Sequence, residues 1–209
     1  MNYLLVIFFT LLILVLFRLY KCLPGLCPKK RYETKPIDVL VVLGSGGHTG
    51  EMMPLVHSLV QSPNYKKFIF VFSDTDQLSK KHPLIPKDSQ FISIPRARKV
   101  GQSFFTSFFT TIYSFIATLP VMFTKPQLLL VNGPGVCYPV VLTIFLGNML
   151  GITNCSIVFI ESVCRVKSLS LTGKLIYPLC DLFFVYWPDL LKFKKRAQLL
   201  DLYGLNKNK

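Results

Sequence analysis

The alternation of short apolar runs with helix-length segments after residue 36 constrains the fold most strongly. The first run, "IDVLVVL" at 37–43, is a nearly continuous β-branched segment, as expected for a strand buried on both faces of a sheet. Similar runs lie at 67–73, 90–95, 127–132, 155–161 and 181–187. Predicted helices lie between them at Met52–Gln61, Phe104–Met122, Tyr138–Leu150 and Leu169–Leu179. The order predicts an α/β domain over 37–190 with a Rossmann-like parallel sheet.

An uncharged apolar segment, "NYLLVIFFTLLILVLF", precedes this domain. A spanning helix needs about 17–25 apolar residues, and Leu19 and Tyr20 extend the segment while Arg18 can snorkel. A signal peptide is the alternative, but a positive start and a small-residue cleavage site are missing. We therefore predict a single-pass transmembrane anchor at 1–20 and a basic juxtamembrane linker at 21–36. The basic residues after the anchor indicate that the domain faces the cytosol.

The composition limits the class of partner. A formal charge of +14 suggests an anionic partner, namely nucleic acid, a phosphorylated substrate or an anionic lipid surface. No nucleic-acid motif is present and the basic residues are largely juxtamembrane, so we expect no nucleic-acid partner. The six cysteines form no CxxC and no Cys/His set with zinc spacing, which predicts buried free thiols in a reducing compartment, with neither metal nor cofactor.

The stretch "VLGSGGHTGEM" at 42–52 is the first candidate site. Its glycines allow positive φ and close approach of a ligand, and the free amide groups at the start of the next helix attract anions. We predict that the loop binds phosphate or diphosphate through Gly44, Ser45, Gly46, Gly47 and Thr49. The spacing matches neither GxGxxG nor a P-loop. A tight strand-to-helix turn with Thr49 as N-cap is the alternative.

His48 and Glu51 are the candidate catalytic residues. His48 lies beside the predicted anion site, where it is a general base or a hydrogen-bond donor to phosphate. Glu51 follows one helical turn later and either orients His48 or simply faces the helix dipole.

Further candidate binding residues follow other strands, at the edge of the sheet where ligands bind in such folds. They are Asn132, Gly133 and Gly135 in "VNGPGVCYP", Glu161 and Arg165 in "FIESVCRVKS", and Arg96 and Arg98 in "IPRARKVGQS". The alternatives are a turn required by Pro134, a Glu161–Arg165 ion pair that caps a helix, and a solvated basic loop.

The segment "SFFTSFFTTIYSFIATLPVMF" is long, aromatic and uncharged. A second membrane span is one interpretation, but its Ser and Thr residues and Pro120 disfavour it. We expect a core helix with one apolar face that dips into the bilayer surface.

Together these residues resemble the asparagine-linked glycosylation 14 family, the membrane-anchoring subunit of the N-acetylglucosaminyltransferase of dolichol-linked oligosaccharide synthesis. The resemblance covers nearly the whole chain: the anchor, "VLGSGGHTGEM", "RARKVGQS", "LLLVNGPGVCYPV" and "FIESVCRVKSLSLTGKLIYPLCDLFFVYWPDL". The last block is the most specific. The glycine loop is also similar to that of bacterial peptidoglycan N-acetylglucosaminyltransferases, which have a GT-B fold.

The resemblance implies the N-terminal, acceptor-side half of a GT-B transferase split over two chains. A cytosolic partner would bind UDP-N-acetylglucosamine, and the pair would extend N-acetylglucosaminyl-diphospho-dolichol at the endoplasmic reticulum membrane. We expect the glycine loop to hold the acceptor's diphosphate and His48 to be the base or a group that positions the acceptor. Glu161 and Arg165 would line the crevice that faces the partner.

The tail at 191–209 resembles the family's partner-docking segment. From its residues alone we expect an amphipathic helix with a basic face, which would also suit a membrane surface. Two other functions remain open: a pure membrane adaptor, and a self-sufficient lipid-phosphate or sugar-phosphate enzyme.

Overall fold

The computed structural model describes residues 2–28, 36–76, 78–98 and 101–200. Its helices are α1 (Asn2–Cys22), α2 (Gly47–Val60), α3 (Phe104–Thr118), α4 (Cys137–Leu150) and α5 (Leu171–Ile176). Its strands are β1 (Ile37–Val42), β2 (Tyr65–Ser73), β3 (Gln90–Ile94), β4 (Leu128–Asn132), β5 (Ser156–Ile160), β6 (Leu182–Val185) and β7 (Ala197–Leu199). Short 3₁₀ helices span Ser79–Lys81, Leu119–Thr124 and Pro188–Phe193.

The seven strands form one sheet in the order β3-β2-β1-β4-β5-β6-β7. Each neighbouring pair is parallel. The chain moves outward from β1 to β3, then returns beside β1 with β4 and continues to the other edge. Ligands of such sheets bind beyond the carboxyl ends of the strands near this reversal. The predicted Rossmann-like parallel sheet is therefore confirmed.

The strands are apolar on both faces because helices cover both sides of the sheet. On one face, Val39 and Val41 pack with Met52 and Met53 of α2. On the other face, residues such as Leu40 pack against α4, α5 and the end of α1. Each fully buried large side chain contributes about 1.5–3 kcal/mol, so the uninterrupted β-branched runs select a two-sided core.

Helix α1 has exposed side chains along most of its length and meets the domain through its last turns. Arg18 donates from Nε to the Met149 carbonyl (2.8 Å) and from Nη2 to the Asn148 carbonyl (2.7 Å), at the C-terminal end of α4. Cys22 is buried in the core beside Leu19. The positive charge at a helix C-terminus is favourable. The apolar helix is long enough to cross a membrane, as predicted for the anchor.

Helix α3 lies on the surface with its hydroxyl side chains facing inward, which differs from the predicted core helix. Ser114 donates to the Pro95 carbonyl (2.8 Å) and Thr110 to the Ala97 carbonyl (2.7 Å), while Ser107, Ser114 and Thr118 are buried. The exposed face is apolar and consists of Phe105, Phe108, Phe109, Ile112, Tyr113 and Ile116. The helix ends at Thr118 because Pro120 starts a 3₁₀ helix.

Over the described residues 191–200, the structure contradicts the predicted amphipathic helix. Ala197–Leu199 instead forms β7, which pairs with β6, so the boundary placed at residue 190 falls inside the sheet domain. Arg196 holds this strand: its guanidinium donates to the carbonyls of Tyr177 (2.7 Å) and Cys180 (2.8 Å) and lies over the Tyr177 ring. Residues 201–209 lie outside the described part, as do residues 29–35 of the predicted linker.

Candidate functional site

The glycine loop joins β1 to α2 at the carboxyl edge of the sheet. Gly46 has φ 60°, a conformation that favours glycine, and is the residue before the first turn of α2. The helix begins at Gly47, five residues earlier than predicted, so His48, Thr49 and Glu51 lie in its first turns. The alternative in which Thr49 is the N-cap is therefore wrong. The amide groups of the first turn have no partner within the helix and point out from its start.

The predicted site glycines have two distinct roles. A Cβ atom on Gly44 would lie 2.4 Å from Pro134 Cγ, and one on Gly133 would lie 2.4 Å from His48 Cε1. These two glycines make room for neighbouring side chains. A Cβ atom on Gly46, Gly47 or Gly135 would meet no atom within 4 Å. Those three glycines keep open space beside the loop.

A first cavity of about 410 Å³ lies on one side of the loop, and we name it the arginine cavity. It brings together Ser45, Gly46, Thr49, Arg96, Arg98 and Gly135 of the predicted binding residues. Arg96 donates to the Arg98 carbonyl (3.0 Å), and Arg98 donates to the Gln102 carbonyl (2.9 Å), so backbone oxygens position both guanidinium groups. Two arginines beside a glycine loop make a cavity suited to a phosphorylated ligand.

The residues of the opposite wall of the arginine cavity were not predicted from the sequence. Asp76 and Ser79 are buried there, and Ser79 Oγ lies 2.6 Å from Asp76 Oδ2 and 2.8 Å from Thr49 Oγ1. The Thr49 hydroxyl in turn donates to the Gly44 carbonyl. The chain of hydrogen bonds fixes the loop against the segment after β2. The cluster "SDTDQLSK" that follows this strand was the available signal.

A second cavity of about 400 Å³ lies on the other side of the loop, and we name it the histidine cavity. Of the predicted residues it brings together Gly47, His48, Glu51, Gly133, Glu161 and Arg165, joined by Ser162, Cys164 and Ser170. His48 Nδ1 is buried, has no hydrogen-bond partner, and lies 3.8 Å from Glu51 Oε2. The described residues contain no group of three or more His, Cys, Asp or Glu side chains that would hold a metal ion.

Glu51 connects helix α2 to the ends of two strands, β4 and β5. Its Oε1 accepts a hydrogen bond from Ser162 Oγ (2.8 Å), and its Oε2 accepts from Asn132 Nδ2 (3.4 Å). Burial acts to raise the pKa of Glu51, but the contacts with His48 and Ser162 outweigh it, and the pKa lies below its usual value. The carboxylate is therefore ionised at neutral pH beside the imidazole.

The remaining predicted residues of this site, Asn132, Glu161 and Arg165, differ in their exposure to solvent. Asn132 is buried and donates to the His48 carbonyl (2.9 Å), so it positions the first turn of α2. Glu161 borders the floor of the histidine cavity but is fully buried, and it accepts hydrogen bonds from the amides of Ser162 (3.1 Å) and Ser170 (2.9 Å). Arg165 is exposed at the rim. The carboxylate of Glu161 holds the loop together rather than facing solvent.

Comparison with solved structures defines the class of protein. The MurG structure from Acinetobacter baumannii aligns with a TM-score of 0.53 at 14% identity, over 73% of this chain and 41% of that one. A glycotransferase of kitacinnamycin aligns with a TM-score of 0.53 at 13% identity, over 79% of this chain and 51% of that one. The chain spans about half or less of these proteins. The fold is a Rossmann-like parallel sheet with GT-B glycosyltransferases as structural neighbours.

Sequence comparison then identifies the family. The family described as "Oligosaccharide biosynthesis protein Alg14 like" matches residues 39–203. The Candida albicans protein named UDP-N-acetylglucosamine transferase subunit ALG14 is 39% identical over 94% of this chain and 92% of its own. The Rattus norvegicus protein of the same name is 42% identical over 74% of this chain and 77% of its own. The chain belongs to the Alg14 family.

Proposed function

We propose that the chain is the membrane-anchoring, acceptor-binding subunit of a two-chain UDP-N-acetylglucosamine transferase. The reaction adds the second N-acetylglucosamine to N-acetylglucosaminyl-diphospho-dolichol at the cytosolic face of the endoplasmic reticulum. A cytosolic subunit supplies the donor-binding half and is recruited by this chain. One observation carries the proposal: the glycine loop of a GT-B N-terminal half separates an arginine cavity from a histidine cavity.

The arginine cavity is the site proposed for the acceptor's diphosphate. Arg96 and Arg98 supply positive charge, and the start of α2 adds amide donors beside Gly46. The open space beside Gly46 and Gly135 allows the phosphates to approach the backbone closely.

The histidine cavity is the site proposed for the reacting hydroxyl. The ionised Glu51 lies 3.8 Å from His48 Nδ1, so a proton on Nδ1 is favoured and Nε2 is left as the acceptor. In the proposed step Nε2 takes the proton of the acceptor hydroxyl, whose oxygen bonds to the anomeric carbon of the donor sugar. The bond from that carbon to the diphosphate oxygen breaks, and UDP leaves with the electron pair. Asn132 and Ser162 are positioning residues, because both hydrogen-bond Glu51.

The placement in the membrane is supported by two apolar surfaces. Helix α1 is exposed along most of its length, and α3 presents exposed aromatic side chains on the domain itself. The relatives' name, transferase subunit, supports a second chain.

The test is a His48→Ala variant, with His57→Ala as the matched control on the exposed side of the same helix. Each full-length chain is co-purified in detergent with its donor-binding partner and assayed for sugar transfer. We expect His48→Ala to retain the partner and to lose about 10²-fold or more of kcat, the range of general-base contributions. We expect His57→Ala to keep full activity. A His48→Ala complex within twofold of the wild type would remove this residue from the chemistry.

A further inference from the structure

A third cavity of about 580 Å³ opens between α3 and α5, next to the arginine cavity, and we name it the α3–α5 groove. Its volume falls in the range of about 300–1,000 Å³ typical of small-molecule sites. Arg98 and Gly135 line both cavities, so the two are adjacent. No function described above uses the groove.

The walls of the groove suit a hydrocarbon. Phe108, Leu171 and Leu175 line it and are 63%, 52% and 44% exposed, so it opens onto the apolar surface formed by α3. The hydroxyls on its α3 side have partners within the helix: Ser107 Oγ donates to the Ser103 carbonyl (2.6 Å) and Thr111 Oγ1 to the Ser107 carbonyl (2.7 Å). An apolar ligand therefore leaves no donor on these two side chains unpaired.

The two ends of the groove have opposite character. Arg98 supplies a positive charge where the groove adjoins the arginine cavity, and exposed apolar side chains of α3 and α5 line the rest. A ligand that fits both ends carries an anionic group attached directly to an unbranched or methyl-branched chain. We propose that the α3–α5 groove binds the first isoprenoid units of a prenyl diphosphate whose phosphates occupy the arginine cavity. The proposal rests on the function proposed above and extends it to a subsite for the lipid chain.

The first test is a protection experiment with a Leu175→Cys variant of the full chain in detergent. Position 175 is exposed on α5, so the substitution leaves the core intact. Maleimide labelling is followed peptide by peptide, with the exposed native Cys164 in the histidine cavity as the internal reference. The probes are farnesyl diphosphate, inorganic diphosphate and farnesol.

We expect farnesyl diphosphate to slow labelling at position 175 at least fivefold relative to Cys164, and the other two probes to leave it unchanged. Protection by inorganic diphosphate would overturn the proposal, because the hydrocarbon part of the probe would then not be needed to protect position 175. Equal protection by farnesol would also overturn it, because a groove that contacts only bilayer hydrocarbon requires no phosphate.

The second test fills the groove with Leu175→Trp and measures transfer by the complex to two acceptors, one with a farnesyl chain and one with a short alkyl chain. We expect KM for the farnesyl acceptor to rise about tenfold, with kcat and KM for the short acceptor unchanged. An equal rise in KM for both acceptors would contradict a subsite for the lipid chain. A wild-type complex that transfers sugar to neither acceptor would instead contradict the proposed function, and the protection experiment would still decide the groove.

Discussion

At the scale of single residues, the glycines of the site separate into those that make room for protein atoms and those that leave space open. A Cβ atom at Gly133, which has φ 58°, would collide with the His48 ring. A Cβ atom at Gly47 would project beside the histidine cavity without touching any atom. A substitution at Gly47 therefore tests the space left for a ligand, whereas a substitution at Gly133 tests the packing against His48.

We expect Gly47→Ala to fold normally and to lose transfer activity. Alanine is the better helix former, so the free energy of unfolding changes by less than about 1 kcal/mol. The added methyl group occupies space that the ligand needs, and such a group typically costs about 1–3 kcal/mol in a binding site, or 10- to 200-fold in kcat/KM. Thermal unfolding and steady-state transfer by the complex measure the two effects.

Gly133→Ala is the contrasting variant. It combines a left-handed backbone with a collision against His48, so stability and activity fall together, by about 1–2 kcal/mol for the backbone alone. Full activity of the Gly47→Ala variant would show that the loop is only a strand-to-helix turn and binds no ligand beside this residue.

The residue types of the loop at 44–49 are a local feature, so a candidate site could be predicted there from the sequence. Their division between two cavities depends on contacts across the fold. The Asn132 side chain reaches the His48 carbonyl over 84 positions in the chain, and Ser162 reaches Glu51 over 111. A single sequence contains no signal for such distant pairs, which is why Ser162 was missed.

At the scale of elements, α3 shows where periodicity is ambiguous. Its hydroxyl face and its aromatic face alternate at helical spacing, but the pattern does not state which face meets the domain. In the structure the hydroxyls bond to backbone carbonyls of 95 and 97, and the aromatic face is left outside. The C-terminal segment was misassigned for a related reason, since the contacts of Arg196 with Tyr177 and Cys180 outweigh its amphipathic pattern.

We expect the aromatic face of α3 to lie at shallow depth in the bilayer rather than to span it. The measurement uses Phe109→Trp in full-length chain in nanodiscs, with quenching by lipids brominated at different depths. Because α3 is held to the domain through Ser114 and Thr110, the introduced tryptophan should be quenched by bromines near the head groups.

The wild-type chain is the control, since its one tryptophan, Trp187, donates to the Val163 carbonyl inside the domain and should not be quenched. Strongest quenching by bromines at the bilayer centre would mean that α3 enters the membrane as a second span.

At the scale of the whole molecule, the described chain has the fold of about half of the solved transferase structures with which it aligns. It aligns with 41% of the MurG chain, and Ser45, Gly46, Gly47 and Arg165 are exposed at the carboxyl edge of the sheet. Under the proposed function, the donor-binding partner docks over this edge. Cys164 lies at this edge, so a change in the reactivity of its thiol would report the docking.

Cys164 is exposed in the histidine cavity, whereas Cys22, Cys137, Cys155 and Cys180 are buried. Burial raises the pKa of the Cys180 thiol to about 12 and that of Cys137 further, so both remain protonated and unreactive near neutral pH. Maleimide should therefore label Cys164 first in the folded chain. The four buried thiols should react only after denaturation.

We expect binding of the partner to slow the labelling of Cys164 at least tenfold, because the thiol becomes enclosed between the two halves of the site. The same titration should convert a chain that transfers no sugar by itself into an active complex, since the donor-binding half arrives with the partner. Mass spectrometry of the Cys164 peptide and transfer assays on the same samples provide both measurements. Transfer by the chain alone would favour the self-sufficient enzyme. Unchanged labelling in an active complex would mean that the partner docks elsewhere and that the exposed edge beside His48 faces another surface.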